Sequence, residues 1–190
     1  MVIGEQYEIS ENYQKFMEII NDKNIHVVKV EAGHKINIEK NFHIDVLWPN
    51  SNKIINENSL NNNSLVLKMV YKNFSILFTA DIEKVAEEEI LKLYKNHPDI
   101  LKATILKVAH HGSKTSTTEK FLRVVKPKYA LIGAGENNLF GHPNEEIINR
   151  LNQKNIKIYR TDEMGEIEII VKNTLKITPY LYKINNLCAQ

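Results

Sequence analysis

Apolar residues recur along this chain with two alternating periods. "ENYQKFMEIINDKN" (11–24) sets Tyr13, Phe16, Met17 and Ile20 at helical intervals, behind Ser10 as a suitable cap. "IHVVKV" (25–30) is a short apolar run, the mark of a buried strand. "HKINI" (34–38) and "FHIDVLWP" (42–49) alternate as strands, the second stopped by Pro49. Residues 50–64 are polar and rich in asparagine, and predict a loop. "LVLKMVY" (65–71) and "SILFTAD" (75–81) flank the short link Lys72–Phe74 and predict a hairpin. Helical spacing returns at 82–96 through Val85, Ile90, Leu91, Leu93 and Tyr94. A buried strand follows at 103–109. A helix at 118–126, capped by Thr117 or Thr118, stops before Pro127. A strand at 128–135 leads to a helix at 144–155 entered through Pro143. Residues 156–172 read as two strands around Met164–Gly165. "LKITPYLYKI" (175–184) reads as a last edge strand, because proline is poorly tolerated in a sheet centre.

Strands and helices therefore alternate, with several strand pairs close in sequence. The fold class is mixed α/β (α+β), with two packed mixed sheets covered by helices expected over about residues 26–172. The 190 residues suit a single domain, 1–190, with a real core, and show neither internal repeat nor domain boundary. A net charge of +2 is too small to argue by itself for nucleic-acid binding. No helix reads as a basic recognition helix of helix-turn-helix type. The single cysteine, Cys188, excludes an internal disulfide framework and suits a reducing compartment. No apolar run reaches membrane-spanning length, and "MVIGEQYEISENYQ" lacks a signal-peptide pattern. A cytoplasmic location is the expectation.

The chemistry gathers where strands end. Asp81 closes an apolar strand just before a charged helix, which puts a carboxylate at the C-terminal edge of a sheet, where α/β proteins bind ligands. The same position suits a helix N-cap. His110 and His111 close the strand at 103–109, so they fall at the same edge; neutral imidazole ligates zinc, iron or manganese, and also serves as a base or a simple donor. Alternation along a strand predicts that one of the two faces the site. His142 lies in the polar loop after the next strand, in "GHP", which also reads as a simple lead-in to a helix. Three strand ends thus bring Asp, His-His and His toward one rim.

The ordered segments "NNNSLVLKMVYKNFSILFTADIE", "LKVAHHGSKTS", "FLRVVKPKYALIGAGENNLFGHP" and "IYRTDEMGEIEI" closely resemble the metallo-β-lactamase-fold hydrolases. More narrowly, they resemble the C-terminal hydrolase domain of ComEC-type DNA-uptake (competence) proteins, over about residues 10–172. The resemblance implies an αββα sandwich with a dinuclear metal site at one edge, holding zinc or manganese. Asp81 matches the aspartate that bridges the metals. His111 or His110 matches a late histidine ligand, and His142 a histidine near the site. The "NNNS" segment, Asn62–Ser64, lies where the family commonly has a site loop, with Asn63 as the candidate contact; Ser113, Lys114 and Lys107 are candidates to contact a phosphate, though both lysines also read as simply solvated. Alanine stands at position 80, where the family commonly has glycine. The family's His-x-His-x-Asp-His motif does not occur in the chain, so the resemblance implies a member lacking its N-terminal segment, with an uncovered sheet edge and an incomplete metal shell. His26, His34 and His43 share no ligand spacing and read as structural or exposed.

In the complete family site, the metals would supply hydroxide that attacks an ester or phosphodiester, with Asp81 holding the geometry and a neighbouring histidine, His142 or the non-ligand member of His110–His111, protonating the leaving oxygen or stabilising developing charge. Two functions follow from these readings. One is a metal-dependent hydrolase of phosphodiester or related ester bonds, nucleic acid among them, completed by the missing segment or by a partner chain. The other is a non-catalytic remnant or binding module that keeps the fold without a complete metal site.

Overall fold

The computed structural model describes residues 1–5 and 10–181. Cys188 and the end of the expected last strand lie outside them. The elements run β1 (Val2–Gly4), α1 (Glu11–Asp22), β2 (Val28–Val30), β3 (Lys35–Glu39), β4 (Phe42–Trp48), α2 (Ser59–Asn62), β5 (Val66–Tyr71) and β6 (Phe74–Phe78). They continue with α3 (Lys84–Leu93), β7 (Ile105–Lys107), α4 (Glu119–Val125), β8 (Tyr129–Ile132), α5 (Glu145–Gln153), β9 (Lys157–Arg160), α6 (Thr161–Met164), β10 (Ile167–Val171) and β11 (Leu175–Pro179). Short 3₁₀ turns occupy Pro98–Leu101 and Ala109–Gly112.

Seven strands make one sheet in sequential order from β3 to β9. The β3–β6 pairs are antiparallel, and the β6–β9 pairs are parallel. The change falls where connections change: Lys72–Asn73 joins β5 to β6 as a tight hairpin, whereas helices carry the chain between β6, β7, β8 and β9. The result is a large mixed sheet flanked by helices.

Burial explains the layering. Ile105 and Leu106 are adjacent in β7 and both buried, so both faces of the sheet are covered there. On one face Leu77, Leu106, Ala130 and Ile132 join Ala86 and Ile90 of α3, Phe121, Leu122 and Val125 of α4, and Ile147 and Leu151 of α5 in one core. Each of these large side chains contributes roughly 1.5–3 kcal/mol by leaving water. Across the other face, Phe42, Met69, Tyr71 and Ile76 meet Ile169 and Val171 around a cavity of about 360 Å³. The antiparallel ribbon β10–β11 therefore lies over the sheet.

The mixed α/β fold expected from the sequence is found, with one difference in detail: the described residues pack the seven-stranded mixed sheet against a two-stranded antiparallel ribbon rather than a second mixed sheet, and β1–β2 form a small parallel pair. Two strands stand on either side of Met164–Gly165 as expected, in different sheets: β9 completes the large sheet, α6 intervenes, and β10 pairs with β11. Hydropathy period identifies a strand but not its neighbour.

Candidate functional site

The site is built by the parallel half of the sheet. β6, β7 and β8 run side by side in the same direction, so their C-terminal ends share one edge. After β6, Ala80 takes a left-handed conformation (φ 43°) and delivers Asp81. After β7, His110 (φ 47°) and His111 (φ 54°) are both left-handed, and Gly112 follows at φ 86°. This run is not strand, so alternation does not apply and both histidines turn to the rim. The two turns are stitched together where the His110 N–H donates to the Ala80 carbonyl at 3.0 Å. Gly112 bonds the third segment: its carbonyl accepts from the Asn144 N–H at 2.9 Å. A Cβ on Gly112 would lie 2.6 Å from Cβ of Pro143, so only glycine permits this approach.

His111 is the best-defined group of the site. Its Nδ1 lies 2.5 Å from the carbonyl oxygen of Gly133, and its Nε2 lies 3.6 Å from Oδ1 of Asp81. A carbonyl only accepts, so in the neutral ring Nδ1 carries the proton and Nε2 presents a lone pair to the carboxylate. Two electron-pair donors facing each other at that distance suit a cation between them. An imidazole whose second nitrogen donates to a backbone carbonyl is the usual support for a metal-bound histidine. Asp81 and His111 therefore fit two positions of a metal shell. A zinc shell takes four ligands, and among the described residues no three His, Cys, Asp or Glu side chains are grouped to hold a metal ion. The remaining donors would have to come from elsewhere.

His110 and His142 form the other half of the rim. Their rings meet edge to face at 5.8 Å, and Phe140 stacks on His142 at 6.0 Å. Nδ1 of His110 stands 3.6 Å from Oε1 of Glu83, too far for a hydrogen bond. Nδ1 of His110 and Nδ1 of His142 are both buried without a hydrogen-bond partner. Two such nitrogens at one rim mark a place where a further group belongs. Burial, and next the charges of His110 and His111, hold the His142 pKa below the usual histidine range. A lowered pKa favours the neutral imidazole, which carries one N–H and one lone pair. Its loop is fixed by Asn138, whose amide donates to the carbonyls of Gly135 and His142 and accepts from the His142 N–H.

The other expected residues sit differently. Asn63 is buried, and its amide is spent on backbone groups of Ile55 and Ser59. Ser113 is buried, and its hydroxyl pairs with Thr115. Lys114 is exposed on the wall of a groove next to the rim. Lys107 donates to the Val108 carbonyl; burial lowers its pKa, and Asp81 raises it. His34 accepts from the Glu31 N–H, and His43 faces Asp45 at 3.4 Å, both away from Asp81.

No known family model matches the chain. The chain is 34% identical over 173 residues to ComE operon protein 3 of Bacillus subtilis (strain 168), covering 91% of this chain and 21% of that protein. It is 34% identical over 124 residues to competence protein ComA of Neisseria gonorrhoeae, covering 65% and 17% respectively. These relatives point to a competence protein family. Recombination protein 2 of Haemophilus influenzae is 28% identical over 128 residues, covering 67% of this chain and 15% of that protein. The chain thus spans about a fifth of the length of the curated relatives it matches. No helix among the described residues is long and apolar enough to cross a membrane.

Three residues beside the rim escape sequence reasoning. Glu83 accepts from Thr115 and approaches His110, while its own N–H donates to Oδ1 of Asn62. Asn62, not Asn63, is the member of "NNNS" that reaches the site. Glu87 is buried and accepts from the N–H groups of Thr117 and Thr118, clamping the turn after His111. Both glutamates belong to "IEKVAEEEI", an acidic run that reads as a solvated helix face, so the pattern carries no signal for them. Phe140 is signalled only by its place two residues before His142.

Proposed function

We propose that the chain carries part of the active site of a metal-dependent hydrolase acting on phosphodiester bonds, with DNA the substrate suggested by its competence relatives. The observation that supports this most is the pairing of Asp81 with the Nε2 lone pair of His111, whose other nitrogen is fixed on Gly133. When bound, a divalent metal would polarise a phosphoryl oxygen or activate water. This chain's own residues do the positioning. Asp81 and His111 offer two donors. His142, neutral and tied down by Asn138, offers an acceptor toward a water or substrate proton. Lys107, behind Asp81, supplies positive charge on the same edge. A segment bearing further donors, of the His-x-His-x-Asp-His kind absent from this sequence, would complete the shell.

The reading is tested by calorimetric titration with manganese and zinc, beside hydrolysis of bis-p-nitrophenyl phosphate. Expected are weak metal binding that Asp81→Ala or His111→Ala removes, little turnover by the chain alone, and turnover restored when the donor-bearing segment is added. Metal uptake indifferent to both substitutions would instead favour a non-catalytic binding module, the reading that the small donor count supports.

A further inference from the structure

Beside the rim, between the start of α3 and α4, lies a groove of about 410 Å³. Lys84, Lys114, Lys120, Arg123 and Arg150 line it, against only Glu88 and Glu119. Five cations less two anions leave +3 in one groove, more than the +2 of the entire chain. The low net charge therefore hides a local concentration of positive charge. Arg150 is held in place by Glu146 and by the carbonyls of Ser116 and Thr117, and Arg123 approaches Glu119 at 3.9 Å. Lys84, Lys114 and Lys120 have no carboxylate within 4.0 Å among the described residues, so the fold gathers three ammonium groups without neutralising them.

The groove connects to the rim through Thr115. Its carbonyl accepts from the Lys84 N–H at 2.8 Å, and its hydroxyl donates at 2.9 Å to the Glu83 oxygen that faces His110. A bound anion would thus lie one residue from the candidate metal pair's neighbours. The lining contains no aromatic and no purely aliphatic side chain, only the stems of its charged residues and two threonine methyls. That composition offers no aromatic platform on which a base could stack and no apolar face to enter a lipid surface. Flexible ammonium groups along a concave channel match a chain of regularly spaced phosphates read without regard to sequence.

We infer that this groove binds the sugar-phosphate backbone of a nucleic-acid strand and guides that strand to the rim. The inference rests on the phosphodiester reading for what the strand does at the rim, but not for whether it binds. The test is fluorescence anisotropy with a labelled single strand of about 20 nucleotides, in EDTA, over roughly 50–200 mM salt. Lys114→Gln/Lys120→Gln is compared with Lys15→Gln/Lys23→Gln, in α1 and at its C-cap, and melting curves check that each variant is folded. Removing two phosphate contacts should weaken binding about tenfold or more at the lower salt and flatten the log–log salt slope by roughly 1.4–1.8. The α1 variant should bind as the unaltered chain does. Equal affinity and slope for the groove variant would overturn the inference, as would an unaltered chain that ignores the oligonucleotide but binds phosphatidylserine vesicles. Because no metal is present, a failed metal titration leaves this result standing, and a failed groove leaves the metal titration standing.

Discussion

Two turns at the rim, after β6 and β7, place non-glycine residues in the left-handed region, and Ala80 is the simplest of them to relieve. Its φ of 43° brings Cβ against its own backbone, at a cost of about 1–2 kcal/mol that glycine avoids. Glycine in turn adds roughly 0.4–1 kcal/mol of unfolded-state entropy. Relief exceeds that cost, so Ala80→Gly should stabilise the chain by about 0.5–1 kcal/mol, measured by urea denaturation. Destabilisation would mean that the side chain's packing outweighs the strain. Sequence alone exposes this position because glycine is expected there. It does not expose the left-handed pair His110–His111, since histidine carries no mark of its backbone angle. Reading them as strand residues sent one imidazole to the wrong face.

At the scale of elements, the turn from Ser113 to Thr117 is held from α3 by Glu87, one carboxylate oxygen on each of two N–H groups. Burial pushes the Glu87 pKa up, against the hydrogen bonds from Thr118 and Thr117 and the charge of Arg150. Glu87→Gln replaces one acceptor by an NH₂ that must face an N–H donor. The cost should be about 2–4 kcal/mol in urea denaturation, with loss of order in the turn after His111. The pH dependence follows by sign. A carboxyl whose folded pKa is raised binds its proton more tightly when folded, so its contribution falls as pH rises from the unfolded to the folded value. Glu87→Gln should remove that component from the stability profile; an unchanged profile would show that the carboxyl titrates alike in the folded and unfolded chain. Helices and strands were legible from their periods, as α5 with Ile147 and Leu151 shows. The clamp was not, because one buried glutamate in a run of acids looks like its solvated neighbours.

At the scale of the molecule, the parallel half of the sheet puts three strand ends on one edge, and this part of the site could be read from sequence order alone. What could not be read is how many donors converge, because that depends on side-chain direction. The rim gathers donors in pairs, Asp81 with His111 and His110 with Glu83. Two donors should hold a divalent ion loosely, with a dissociation constant on the order of 1 mM, at the weak end of carboxylate-based sites. At about 10 mM metal, binding to the folded state alone then adds roughly 1.4 kcal/mol of stability. For a chain of this size that is a rise in melting temperature of about 3–6 °C. Manganese should produce this shift without saturating in the micromolar range, and Asp81→Ala should abolish it while Asp45→Ala, on the antiparallel half of the sheet, should not. A shift complete at stoichiometric metal would require donors that the described residues do not bring together. No shift at all would mean that the facing lone pairs of Asp81 and His111 accept something other than a metal.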